Sequence, residues 1–482
     1  MALVEHVIPS SEEDLVTAGP VGTADEVETG DYAALNVGLP AEVARLKAAG
    51  RLREAVAACD ELLARGMRPG GMQPELAQVL RVERHRMGRL AAEYPVTRAE
   101  ALARIRSEVP GFTEEQLDEL VENRRIDWRY IDGEQRFVSN FLGSVRIYAG
   151  EVPGLAPAEQ RDLELRRAML AEMRERGGAA RRITVRARIE VPGALPGETV
   201  RAWLPVPARC PQQSDIEILS STPGALVAPE DAPARTASWA SKELRSFEVT
   251  YRYVVRAPYV DTTAPARGRV VGASYDPVEA DLEELEPHIV FTAYLRRLAA
   301  RIVAGVDEPI DRARAIYDYI TANVDYRFQP AYAQLDCIPD NCAKSLRADC
   351  GVFALTFITL CRIVGIPARW QSGLAVSEDH IGCHDWAMFY TPEHGWLWAD
   401  CSFGSASRRE GDEARRLHYF GNLDPWRMVA NSAFMAEFDP PFDGVRWDPF
   451  DNQAGEATVD GRGCNCDEMR RSMELLAMED VR

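Results

Sequence analysis

Between Cys350 and Gly365 the chain reads Gly-Val-Phe-Ala-Leu-Thr-Phe-Ile-Thr-Leu-Cys-Arg-Ile-Val, a run so apolar that it must lie inside a core. Val352–Val364 is too long for an ordinary strand and long enough for a buried helix, which Gly365 ends as a C-terminal cap with Pro367 just beyond. A helix apolar on every side needs neighbours on every side, so this segment commits the surrounding chain to a packed domain. Cys350 then stands at the helix N-terminus. There the aligned peptide dipoles favour a thiolate, and a nearby imidazolium would favour it further.

Two strands are legible downstream, His384–Tyr390 and Trp396–Asp400, joined by the loop Thr391-Pro392-Glu393-His394-Gly395. His384 opens one strand and Asp400 closes its antiparallel neighbour, so the hairpin sets the two side by side. A carboxylate so placed holds an imidazole in one tautomer. Cys350, His384 and Asp400 are therefore the candidate nucleophile, base and orienting acid.

At 482 residues the chain exceeds what one core can support, and two to four domains are expected. Residues 1–35 carry eight acidic side chains and neither lysine nor arginine, which predicts a solvated, disordered acidic tail. A helical domain follows over 36–180. Val43, Leu46, Leu52, Val56, Cys59 and Leu63 have the spacing of a helical hairpin broken at Gly50, and Thr97 with Glu100 and Thr113 with Gln116 form capping boxes. Ile126, Trp128 and Tyr130 then alternate before Asp132-Gly133, a type I′ hairpin signal. Two helices and a hairpin are similar to a winged helix, but no basic face accompanies them.

Over 181–265 the period changes to two. Ile183, Val185, Ala187 and Ile189 alternate with polar residues, as do Phe247, Val249, Tyr251, Tyr253 and Val255, with Trp203–Val206 and Ile216–Leu219 between them. This predicts a small antiparallel β domain. Helical spacing returns through Leu295, Leu298 and Ile302 and through Ala313, Ile316 and Ile320, leading into a catalytic core over 266–440. Residues 441–482 are left as a C-terminal extension.

A net charge of −19 argues against a nucleic-acid partner, because phosphate binding draws on clustered cations. No stretch of 18 apolar residues occurs, and residues 1–31 lack the pattern of a secretory signal, so no membrane association and a cytoplasmic location are expected. The ten cysteines should be reduced there. Cys337 and Cys342, His380 and Cys383, and Cys464 with Cys466 could supply zinc ligands, but no pair has the usual two-residue gap, so no metal and no cofactor is expected. Trp370, Trp386, Trp396 and Trp398 are read as core residues, one of which could wall a substrate groove.

Asp349-Cys350, Gly365-Ile366-Pro367-Ala368-Arg369, His384-Asp385-Trp386, and Gly395-Trp396 up to Asp400 together resemble the core of the transglutaminase-like superfamily, over roughly residues 286–405. The order Cys, His, Asp also matches. The resemblance implies an α+β, papain-like core, with the cysteine helix packed on an antiparallel sheet, in which the thiol attacks an amide carbonyl to form a thioester. Some family members complete the oxyanion hole with a side chain upstream of the cysteine. Tyr326, Gln329 and Gln334 stand at suitable positions, and Tyr326 is the preferred one. The expected function is hydrolysis of a protein or peptide amide. The alternatives are protein cross-linking and a non-catalytic binding or scaffold role on the same fold.

Overall fold

The computed structural model describes residues 5–7, 27, 32, 34–35, 37–66, 71–157, 163–270 and 275–481. It forms two compact units. One comprises the described residues of 11–160 and 327–336, and the other Glu5–Val7 with those of 161–326 and 337–482.

The first unit is the helical one. Ala41–Ala48 and Leu52–Gly66 form the expected hairpin, and Pro74–Glu93 packs along it. Gly50, at φ 69°, is required between them, because a Cβ there would meet the Tyr130 carbonyl oxygen at 2.1 Å. Both capping boxes are present, at the starts of Arg98–Glu108 and Glu114–Glu122. Strands Trp128–Ile131 and Glu134–Phe137 pair across Asp132 and Gly133, which have φ of 48° and 93°, the positive values a type I′ turn demands. A short third strand, Val96–Thr97, completes the sheet. The segment 327–336 belongs to this unit, where Arg86 donates to the Ala333 carbonyl and to Asp336, each at 2.7 Å.

In the second unit the alternation of Ile183 to Ile189 and of Phe247 to Val255 becomes two long paired strands, Gly178–Glu190 and Ser246–Pro258. They are the middle of a five-stranded antiparallel sheet that faces a second one containing Val200–Pro205 and Thr236–Ser241. Ile183, Val185, Leu204, Trp239, Val249 and Tyr251 share the core between the sheets.

The C-terminal residues are integral to this sandwich. Arg470–Asp480 pairs with Gly178–Glu190, and Glu456–Val459 pairs with Val200–Pro205. Glu5–Val7, inside the segment expected to be a disordered tail, is a strand on the other side of Arg470–Asp480. Its pairing comes from a partner more than four hundred residues away, which local composition does not report; most of residues 1–35 lie outside the described residues.

The chain is α+β, with mixed helices and antiparallel sheets. Helices Ala293–Ile302, Pro309–Asn323, Ile338–Ser345 and Cys350–Ile363 pack together, and Cys350–Ile363 lies against strands Ala368–Val376 and Ile381–Thr391. Those strands belong to an antiparallel sheet ordered Phe420–Gly421, Gly395–Ala399, Ile381–Thr391, Ala368–Val376, Arg427–Asn431. Among the described residues no helix is long and apolar enough to cross a membrane.

A chain ending at Pro440 loses strands from both faces of the sandwich and exposes the Ile183–Ile189 strand along one edge. We expect it to show no cooperative thermal transition by near-ultraviolet circular dichroism and to bind a hydrophobic dye. A cooperative melt resembling that of the full chain would show that the last strands are dispensable.

Candidate active site

Cys350 is the first residue of its helix, and Asp349 is the N-cap, its Oδ1 accepting the Val352 amide at 3.1 Å. At the other end Gly365, at φ 81°, and Ile366 donate to the Arg362 and Cys361 carbonyls at 3.0 and 2.9 Å, which is a Schellman cap. Every residue from Gly351 to Cys361 is buried, so the apolar run is fixed along its length and the position of Cys350 with it.

The expectation of a favoured thiolate is opposed by what surrounds the sulfur. Burial pushes the Cys350 thiol well above its ordinary value, and the carboxyls of Asp385 and Asp349 add to the rise. The helix terminus favours negative charge there, but two acidic side chains and loss of water work against it. Asp385 touches the sulfur twice. Its carboxyl lies within hydrogen-bonding reach and its backbone N–H donates to the sulfur.

His384 comes from strand Ile381–Thr391, opposite Gly373 on the neighbouring strand. Gly373 cannot carry a side chain, because a Cβ there would lie 2.1 Å from the Met428 carbonyl oxygen. The imidazole Nε2 is 2.7 Å from Asp400 Oδ2, both groups being buried, and the ring packs against Phe403 with centroids 4.5 Å apart. An ionised Asp400 can only accept, so Nε2 carries the hydrogen and Nδ1 is the nitrogen able to take a proton.

Asp400 does more than close a strand. It is the N-cap of helix Cys401–Arg409, where its Oδ1 accepts the Phe403 amide at 2.8 Å. Its Oδ2 also receives Arg427 Nη2 at 2.9 Å. Burial alone would push this carboxyl up, but His384 and Arg427 outweigh it and hold it below the ordinary aspartate value. Arg427 is in turn held by Asp424, Nη2 to Oδ2 at 2.9 Å and Nε to Oδ1 at 3.1 Å, and Asp424 accepts Tyr419 Oη at 2.9 Å.

Neither Arg427 nor Asp424 was identified from the sequence. The available signal was an arginine inside the apolar stretch Trp426–Ala430, since a charge on a buried strand needs a partner.

The remaining candidates are spread more widely. Tyr326 lies on a two-residue strand paired in parallel with Arg347–Ala348, so its backbone runs beside Ala348, two residues before Cys350. Gln329 donates to the Arg327 carbonyl at 3.0 Å, and both Gln329 and Gln334 belong to the helical unit. Among the described residues no group of three cysteines, histidines or carboxylates could hold a metal ion. Trp370, Trp386, Trp396 and Trp398 are all buried, and Trp386 Nε1 donates to Gln371 at 2.8 Å, so none of the four walls an open groove.

Replacing Arg427 by methionine keeps volume but leaves Asp400 buried without its guanidinium and Asp424 with Arg166 alone, 3.5 Å away. Both carboxyls are held below their ordinary value, so the stability they contribute is complete above the unfolded aspartate pKa of about 3.9 and is lost as pH falls through their lower folded values. Without the cation those folded values rise. We expect Arg427→Met to cost about 3–5 kcal/mol in denaturant unfolding at neutral pH and to move acid unfolding to higher pH. An unchanged acid midpoint would show that Arg427 does not hold these carboxylates.

Residues 296–401 match the transglutaminase-like superfamily. YebA of Bacillus subtilis strain 168, itself uncharacterized, is 24% identical over 122 residues, covering 21% of this chain and 16% of YebA. The chain therefore spans about a sixth of the length of that curated relative. A candidate cysteine protease from Cytophaga hutchinsonii superposes with a TM-score of 0.39 and 15% identity, covering 63% of this chain and 93% of that one. The periplasmic domain of TgpA from Pseudomonas aeruginosa gives 0.26 and 16%, covering 52% and 96%. The segment that bears Cys350, His384 and Asp400 is thus a core of the transglutaminase-like superfamily.

Proposed function

We propose that this protein is a cysteine-dependent acyl-transfer enzyme that hydrolyses an amide of a protein or peptide through a thioester on Cys350. The observation that carries the reading is the buried His384 Nε2 to Asp400 Oδ2 bond of 2.7 Å, on a strand against which the Cys350 helix packs. That bond fixes the imidazole so that Nδ1 can accept the thiol proton as sulfur bonds to the carbonyl carbon. The developing oxyanion would draw on the Cys350 amide at the helix start and on Tyr326. When the carbon–nitrogen bond breaks, His384 returns the proton to the departing amine. Water then takes a second passage through the same base, releasing the acid and restoring the thiol.

Water as acceptor needs no further binding site, which places hydrolysis ahead of cross-linking to a lysine amine. The cytoplasm is the compartment that suits ten cysteines of which none forms a disulfide. A scaffold role would not require a buried, charge-paired imidazole.

Cys350→Ala should abolish turnover of a proteome-derived peptide library while keeping the melting temperature within a few degrees, because alanine is tolerated at a helix start. His384→Ala should lower kcat/KM by about 10³-fold or more, and Asp400→Asn should retain at least about tenfold more activity than His384→Ala. Undiminished cleavage by Cys350→Ala would end the proposal. A product joined to an added amine, rather than a free acid, would move it from hydrolysis to cross-linking.

A further inference from the structure

The thiol shares its surroundings with a second acidic group that the steps above leave unused. Asp385, on the strand of His384, reaches both the Cys350 sulfur and the carboxyl of Asp451. Two carboxyls in hydrogen-bond contact cannot both be ionised out of water without a large penalty, so the contact itself implies one proton between them.

The donors around the pair decide where that proton rests. Ser372 Oγ donates to Asp451 Oδ1, and Asn431 Nδ2 donates to the same oxygen at 3.1 Å, with Arg446 on its far side. These favour the ionised form of Asp451. Asp385 receives two neutral donors, the amide of Gln453 and the thiol of Cys350, and no cation stands among the groups that shift it. The proton therefore sits on Asp385, and burial together with the Asp451 charge raises Asp385 well above the ordinary aspartate value.

Other groups reinforce this. From the helix, Cys350 and Asp349 face Asp385, and Asp349 opposes its ionisation. On its own strand Cys383 and His384 flank it, and Ser372 pairs with it across the sheet. Behind Asp451 stands Asp448, also pushed up by burial and by Asp451, to about 7. Arg446 lies beyond the pair, where Glu456 accepts its Nε at 2.9 Å.

We propose that Asp385 is a further catalytic residue of this site, a neutral carboxylic acid whose proton, shared with Asp451, must be present for the Cys350 sulfur to become a thiolate. This inference rests on the acyl-transfer reading above. While Asp385 is protonated, its backbone N–H supports negative charge on sulfur and its side chain does not oppose it. Once that proton leaves, a full negative charge faces the partly buried sulfur, and the thiol keeps its hydrogen. The proton on Asp385 does not enter the acyl-transfer steps. The thiol proton still travels to His384 Nδ1 and on to the leaving amine. Asp385 sets the condition under which that transfer begins, so the enzyme works on the acid side of the carboxyl pair's last ionisation.

The test is the rate of iodoacetamide labelling at Cys350 across a pH series, followed by peptide mapping on the full chain, for the wild type, Asp385→Asn and Asp451→Asn. The asparagine at 385 is neutral at every pH. Its labelling should equal that of the wild type within about twofold at low pH and exceed it by about tenfold or more once the wild-type pair has lost its proton, a factor of ten corresponding to one unit in thiol pKa. Asp451→Asn removes the like charge, so its labelling should fall behind that of Asp385→Asn at a pH lower by about one unit or more.

A ratio of Asp385→Asn to wild-type rates that stays flat across the series would overturn the proposal, whatever the absolute rates. The wild type supplies a readout that needs no variant to fold, namely a protonated-carboxyl infrared band that persists at neutral pH and shifts when Cys350 is alkylated. Absence of such a band would also overturn it. Preferential labelling of Cys350 with a flat ratio would remove only this inference, whereas labelling of Cys350 no faster than the other cysteines at every pH would remove the acyl-transfer reading beneath it.

Discussion

The Asp400 carboxylate is the point on which the rest of the site depends. It receives three donors from three parts of the fold: the His384 imidazole from a central strand, the Arg427 guanidinium from an edge strand, and the Phe403 amide from the helix it caps. A carboxylate with no exposed surface would ordinarily be pushed toward its neutral form. Here the charge is retained because His384, Arg427 and the Phe403 amide together outweigh the cost of burial. One residue therefore fixes a tautomer, starts a helix and ties the edge strand to the centre of the sheet.

Charge is distributed unevenly around that anchor. Asp400 and Asp424 share the cation Arg427, and Arg166 stands 3.5 Å from Asp424 as the second cation of a cluster in which both carboxyls are held below their ordinary value. On the side of the sulfur, Asp349, Asp385 and Asp451 gather, and burial together with the Asp385 and Asp349 carboxyls pushes the thiol above its ordinary value. The arrangement separates two tasks. In the proposed reaction one group of acids would keep the imidazole ready to accept a proton, and the other would set when the nucleophile loses its own. A helix N-terminus favours a thiolate by amounts of about 1 kcal/mol, which nearby buried carboxylates can outweigh.

Most of the core's framework was legible in the sequence, for identifiable reasons. The Val352–Val364 run could only be a buried helix, and the Gly365 cap ended it where expected. The strand of His384 and the short loop after it fixed the hairpin, and the capping boxes and Asp132-Gly133 turn are local signals that local geometry satisfies. What escaped was non-local. Strand Arg470–Asp480 reads as polar and charged because it is only half buried, and its role depends on Gly178–Glu190, almost three hundred residues earlier. The same holds at the site. Asp451 and Gln453 reach Asp385, beside the sulfur, from a segment read as a terminal extension, and no spacing rule links them to Cys350. Arg427 needed the sheet order to bring it to Asp400.

Cysteine chemistry at position 350 is the central claim, and the intermediate itself is its most direct witness. Full-length protein mixed with a proteome-derived peptide library, acid-quenched within seconds and digested for mass spectrometry, should carry a peptide acyl group on Cys350 that hydroxylamine removes, as a thioester requires. An acyl group found on another residue, or peptide turnover in which Cys350 remains freely alkylated throughout, would contradict the account.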